Sequence, residues 1–230
     1  MTRPIIGILG GGQLGMMLSD AVNKIGITTH IYCPEKDCPA SEVSNFFTAE
    51  DYNNKDEIRK FSNQVDYITY EFENIPIETI EFVDNQKKIR PGKKSLLLTQ
   101  DRLTEKRFLE SIGLPIAPFM SIESAEDIKK AHSQFKDCII KTRTLGYDGK
   151  GQENIKNENN YDEIFKRINR ESIIEKKIPF DFEVSVIMAR DIDGNICHYP
   201  IGKNVHENHI LKHTFSPIKL SKIQITKLLS

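Results

Sequence analysis

Two glycine-rich stretches, and the charged residues around them, are where this sequence could do chemistry. The first is Gly10-Gly11-Gly12-Gln13-Leu14-Gly15, which satisfies G-x-G-x-x-G between an apolar run and a helical pattern. Glycines in that place let an anion approach bare backbone N–H groups at a helix N-terminus. Glu35 stands twenty positions after Gly15, where a dinucleotide site would put its ribose-binding acid. A tight turn with no ligand and a solvated loop explain the same residues, so the motif alone leaves both readings open. The second stretch runs from Lys141 to Gln152 and holds Gly146, Gly149 and Gly151 with Lys141, Arg143, Lys150 and Asp148. Such glycines let N–H groups fold over phosphates while the cations offset phosphate charge. The Walker A pattern is absent. A plain hairpin loop seldom carries so many cations directly after an apolar strand.

Other candidates stand at strand ends. Glu71 and Glu73 follow a predicted strand at 65–70, at the edge where open α/β sheets collect ligands. They could bind hydroxyl groups, or simply favour the positive end of the helix entered at Pro76. Glu175-Lys176-Lys177-Ile178 closes an apolar strand, a place for adenine and ribose or a charged protective edge. Glu183 lies on the opposite face of its predicted strand from Phe182, Val184, Val186 and Met188. His206 and His209 fall in an expected loop with His213 following, too loose a set for zinc. Cys33, Cys38, Cys138 and Cys197 make no C-x-x-C pair and read as reduced cytosolic thiols.

These residues need elements to hold them. Residues 4–10 predict a buried parallel strand, and Leu14, Met17, Leu18, Ala21 and Ile25 recur at helical spacing until Gly26. Strands at 27–33 and 65–70 flank a polar helix near 54–63, so about the first 95 residues read as a small open α/β domain. The pattern breaks near Arg90-Pro91-Gly92. A helix at 101–112 follows, with Leu103, Phe108, Leu109 and Ile112 inward, and the domain boundary falls just before it. Next come a helix at 124–135, a strand at 138–141, strands at 172–178 and 181–190, and a hairpin partner at 196–204 beyond the Asp193-Gly194-Asn195 turn. The 230 residues are 38% hydrophobic and 28% charged with a net charge of −1, which excludes a disordered tail or disulfide mini-scaffold. The balanced charge and the lack of a long apolar run give no reason to expect a nucleic-acid or membrane partner, and no signal-peptide layout opens the chain.

In order along the chain, 10–15, 69–75, 100–106, 141–152, 175–178, 182–185 and 204–211 match one pattern. Taken together they resemble the ATP-grasp ligases of purine synthesis, and among them the synthases that make 5-(carboxyamino)imidazole ribonucleotide. The resemblance implies an α/β chain: an open parallel, Rossmann-like pre-ATP-grasp domain at 1–98, then an incomplete α+β ATP-grasp domain at 99–230. It implies that ATP phosphorylates bicarbonate to carboxyphosphate, whose carboxyl passes to the amine of 5-aminoimidazole ribonucleotide. By matching position, Arg102 and Lys141 would meet ATP phosphates and the adenine side. Gly146, Tyr147, Asp148, Gly149, Lys150, Gly151 and Gln152 would close as a lid. Glu175, Lys176, Lys177 and Ile178 would hold adenine, Glu183 the ribose, and His206 would lie close by. Tyr147, Asp148 and Lys150 would face the reacting groups, with Asp148 orienting or deprotonating the amine. Gln13, Leu14 and Glu73 would line the ribonucleotide side.

The family continues for roughly another third of its length, which would carry the acidic Mg²⁺ ligands. The resemblance therefore implies a truncated synthase that binds nucleotide poorly and turns over little, and that is a cytoplasmic homodimer when complete. Two other readings stay open from the residues: a Rossmann-type dinucleotide oxidoreductase, and a non-catalytic remnant that binds a ligand or partner chain.

Overall fold

The computed structural model describes residues 3–84, 89–146, 150–156, 160–207 and 210–229. Contacts divide the chain into two compact units, 1–116 and 117–230. No described helix is long and apolar enough to cross a membrane.

In unit 1 the strands are β1 (Ile5–Leu9), β2 (Thr28–Cys33), β3 (Phe46–Ala49) and β4 (Tyr67–Tyr70). They form a parallel sheet in the order β3-β2-β1-β4. The helices are α1 (Gln13–Lys24), α2 (Lys55–Gln64), α3 (Ile77–Asp84), α4 (Lys93–Thr99) and α5 (Arg102–Ser111), with a 3-10 turn at Pro39–Glu42. Both sheet faces are covered, as parallel strands require. Leu9 packs on one side with Phe61, Val65 and Ile80, while Ile8 packs on the other with Ile31, Cys33 and Ala40. Gly7 has no side chain because a Cβ there would meet Phe61 and Val65.

Two expectations change here. The apolar stripe of α1 is not its buried face. Leu14 is 61% exposed, Met17 57% and Ile25 73%, whereas Gly15 and Ser19 are buried. The helix lies so close to the sheet that a Cβ on Gly15 would reach the Gly10 carbonyl, and the Ser19 and Thr29 hydroxyls bond at 2.6 Å. Close approach therefore selects small residues for the inner face. In α5, Leu103 is buried but Ile112, expected inward, is exposed just past the helix end. This helix contacts α4. β3 is a short edge strand that periodicity did not predict.

In unit 2, β5 (Phe119–Ile122), β6 (Cys138–Thr142), β7 (Gln152–Ile155) and β8 (Ser172–Lys176) form an antiparallel sheet in the order β5-β8-β6-β7. Helices α6 (Ala125–Phe135) and α7 (Tyr161–Ile168) supply Ile128, Ala131 and Ile164 to a core shared with Cys138, Ile140, Ile155 and Ile174. The expected strand at 181–190 is two strands, β9 (Glu183–Ser185) and β10 (Met188–Arg190). Its partner is likewise split into β11 (Ile196–His198) and β12 (Gly202–Glu207), followed by β13 (Ile210–Phe215) and α8 (Lys222–Leu229). β10 pairs with β11, while β9 joins the sheet β13-β12-β9. Both arms of the ribbon break together, so Val184 and Met188 do not share one strand. His206 lies in β12 rather than in a loop; His209 is outside the described residues.

Candidate functional site

In unit 1, the parallel strands end on the glycine-rich turn. Gly10 has φ +112°, a conformation that favours glycine. Glu71, just past β4, reaches across the strand ends, and its Oε1 accepts the Gly12 N–H at 2.9 Å. Cβ atoms on Gly10 or Gly12 would collide with this carboxylate. A cavity of about 290 Å³ opens here, lined by Gly11, Gly12, Glu35, Asp37, Cys38, Pro39, Tyr52, Glu71 and Phe72. Burial, with Cys33, Glu35 and Glu71 nearby, pushes the Tyr52 phenol far up, so it stays protonated as a donor. Because the chain's own carboxylate occupies the Gly12 N–H, the turn does not offer the open anion seat that a dinucleotide pyrophosphate needs.

In unit 2, alternation along β6 and β8 sends Ile140 and Ile174 into the helix-covered core and turns Lys141 and Glu175 to the other face. There Lys141 Nζ pairs with Glu175 Oε1. Glu175 is only 5% exposed, so its charge needs this partner. β6 and β7 are the arms of a hairpin. Lys141 stands opposite Gln152, and the Thr142 N–H donates to the Gly151 carbonyl at 2.8 Å. The cationic, glycine-rich segment is thus a loop clamped at its base, with Lys141 on one arm and Gly151 at φ +73° on the other. Gly146 is half-buried and Lys150 exposed; Tyr147, Asp148 and Gly149 lie outside the described residues.

The remaining predicted residues fall into groups. Lys176, Lys177 and Ile178 are exposed, and the N–H groups of Lys176 and Lys177 donate to the carbonyls of Pro118 and Asp137. On the β9–β12 pair, Glu183 Oε1 accepts from Asn204 Nδ2 at 3.0 Å and lies 3.7 Å from His206 Nε2. Arg102 is half-buried at the start of α5, in unit 1. Gln13, Leu14 and Glu73 are exposed and do not line the unit 1 cavity; the Glu73 carbonyl accepts from Gln100 Nε2 at 2.8 Å. Tyr52 was missed, because a lone tyrosine in a polar loop carries no signal until the fold brings it to Glu71. A cavity of about 680 Å³ in unit 2 is lined in part by Arg143 of the cationic stretch, with Lys166 and Arg170, and by none of the residues to which the resemblance gives a role. Among the described residues, no three His, Cys, Asp or Glu side chains converge as a metal site.

Residues 107–229 match the ATP-grasp domain family, and residues 2–100 match the ribonucleotide synthetase preATP-grasp domain. The bifunctional purine synthesis protein purC/E of Dictyostelium discoideum is 42% identical over 221 residues, covering 94% of this chain and 22% of that protein. The N5-carboxyaminoimidazole ribonucleotide synthase of Staphylococcus aureus (strain MRSA252) is 38% identical over 224 residues, covering 96% of this chain and 60% of that one. Among solved structures, the Staphylococcus aureus N5-carboxyaminoimidazole synthetase complexed with ADP superposes with a TM-score of 0.91 at 36% identity, covering 99% of this chain and 62% of that one. The carboxyaminoimidazole ribonucleotide synthase of Aspergillus clavatus complexed with ATP gives a TM-score of 0.87 at 25% identity, covering 99% and 61%. The chain therefore spans about 60% of the length of the synthases it matches.

Proposed function

We propose a function from one premise: this chain belongs to the ATP-grasp family. It serves ATP- and bicarbonate-dependent carboxylation of 5-aminoimidazole ribonucleotide. A phosphoryl group passes from ATP to a bicarbonate oxygen, giving carboxyphosphate and ADP. The ribonucleotide amine then attacks the carboxyl carbon, phosphate leaves, and the amine gives up a proton. The observation that carries this reading is the clamped β6–β7 hairpin, with Lys141 held at its base by buried Glu175. That arrangement fixes one cation beside a loop able to fold over phosphates and shield a water-sensitive acyl phosphate. The solved relatives complexed with ADP and ATP support the same reading.

Within the proposal, Arg102 and Lys141 meet the phosphates, Glu175 to Ile178 border adenine, and Glu183, steadied by Asn204, takes the ribose beside His206. Gly146 to Gln152 form the lid, in which Tyr147, Asp148 and Lys150 face the reacting groups and Asp148 receives the amine proton. Gln13, Leu14 and Glu73 stand on the ribonucleotide side, and 1–98 and 99–230 divide the two ligands between them. Magnesium, pairing of two copies, a cytoplasmic location and partners limited to small molecules belong to the same proposal. No three His, Cys, Asp or Glu side chains converge among the described residues, and within the proposal the acidic Mg²⁺ ligands lie in the further third of the family's length.

The test is calorimetric titration of the chain with ADP and with a nicotinamide dinucleotide. ADP binds weakly, as expected of a chain spanning part of its relatives, and Lys141→Met weakens it at least tenfold further, about 1.4 kcal/mol. Saturation by the dinucleotide with indifference to ADP overturns the proposal. In an enzymatic assay, ADP release depends on both bicarbonate and aminoimidazole ribonucleotide.

A further inference from the structure

We propose that Cys33 and Cys38 form a reversible dithiol–disulfide modification site in the wall of the unit 1 cavity, reacting with low-molecular-weight disulfides. Cys33 ends β2 and Cys38 precedes the Pro39–Glu42 turn. The Cys33 Sγ–H donates to Cys38 Sγ at 3.2 Å, with the Glu35 carbonyl a second acceptor at 3.3 Å. Both thiols are buried, and Cys38 lines the cavity. Both sulfurs press on Gly11, where a Cβ would run into each of them. The Ala40 N–H also donates to the Gly11 carbonyl at 3.0 Å, tying the loop that carries the thiols to the glycine-rich turn. The two other cysteines lie in unit 2, Cys138 buried and Cys197 exposed.

The reaction proceeds by two exchanges. Cys38, reached from the cavity, attacks the small disulfide; a mixed disulfide forms, and one small thiol leaves with the Cys38 proton. Cys33 then attacks Cys38 Sγ; the Cys33–Cys38 bond forms, and the second small thiol leaves with the Cys33 proton. Two protein thiols are oxidised and one small disulfide is reduced to two thiols. Burial, followed by the hydrogen bond to Cys38, pushes the Cys33 thiol up, which lowers its thiolate fraction in the closing step. A disulfide brings the sulfurs from 3.2 Å to about 2.05 Å. That contraction closes a loop over residues 34–37, which carries the cavity residues Glu35 and Asp37.

The experiment treats the full chain with 2-hydroxyethyl disulfide and reads intact mass and mapped peptides, with no ligand and no activity involved. The expected product has lost the mass of two hydrogen atoms, carries a Cys33–Cys38 link, and returns to the starting mass with dithiothreitol. Amide exchange in 34–37 slows in the oxidised form. Cys33→Ser stops at the mixed disulfide on Cys38. A wild-type chain in which Cys33 and Cys38 stay open to alkylation after unfolding, or in which the mixed disulfide on Cys38 persists, overturns the proposal. The reading needs no variant to fold, and ADP titration failing beside a successful mass test would strike only the function proposed above.

Discussion

The two glycine-rich stretches differ in composition, four glycines in the six residues 10–15 against three in the twelve cationic residues 141–152, and in what surrounds those glycines. The 10–15 turn is packed from within: Gly11 against two sulfurs, Gly12 on the Glu71 carboxylate, Gly15 against the Gly10 carbonyl. Its glycines are there because neighbouring atoms leave no room for a Cβ. In the segment after Lys141 the arms meet at Thr142 and Gly151 beside the Lys141–Glu175 pair, and the Arg143 N–H donates to the Glu171 carbonyl at 3.0 Å. Of its glycines, Gly151 is left-handed and stands where a Cβ would meet Thr142 Oγ1, a contact between hairpin arms rather than inside a turn. Glycine-rich motifs thus mark a turn packed against a carboxylate and two sulfurs in one unit and the base of a hairpin in the other.

Substitutions can break or sharpen that contrast. The largest effect is expected in unit 2. Lys141→Met removes the ammonium paired with buried Glu175 and costs about 3 kcal/mol. Adding Glu175→Leu recovers most of that loss, which urea unfolding of the single and double variants measures; equal losses in both would show that the pair is not buried as described. Next, Gly11→Ala forces a methyl group onto both sulfurs and costs about 2 kcal/mol. Gly151→Ala costs about 2 kcal/mol as well, through its left-handed φ and a methyl group driven onto buried Thr142 Oγ1. A urea midpoint equal to that of wild type for either variant would show that its Cβ finds room after all.

The smallest expected effect depends on pH and belongs to unit 1 alone. His30 in β2 is buried, its Nε2 lies 2.9 Å from Thr48 Oγ1, and burial lowers its pKa from 6.5 to about 4. Between those values the unfolded chain binds the proton and the folded chain does not. This contribution is therefore fully present above 6.5 and is lost as pH falls through about 4. Going from about pH 7 to pH 5 costs about 1 kcal/mol, allowing for water near the ring. Urea melts of wild type and His30→Gln compare the slopes; a slope unchanged in the variant would assign the dependence to other groups.

Much was legible in the residues. The apolar run at 4–10 became the central strand β1, buried on both faces, and the segments at 27–33, rich in β-branched residues, and 65–70 became β2 and β4. Gly26 and Gly113 end their helices at positive φ, as their positions after the last periodic residues indicated. Periodicity failed on α1, whose inner face was chosen by distance to the sheet rather than by hydrophobicity. It failed again at 186–187 and 199–201, where two paired arms change sheets together and neither segment announces the break.

By itself the sequence determined which local elements form and where the cationic glycine segment lies, since propensity, period and turn chemistry act over a few residues. Only the tertiary structure decided that Glu71 would fill the Gly12 N–H, that Glu175 would be buried against Lys141, and that Cys33 and Cys38 would meet over Gly11. Those contacts join separate strand ends, neighbouring strands or the two ends of a loop, and their geometry is set by sheet order and register, which no local pattern encodes.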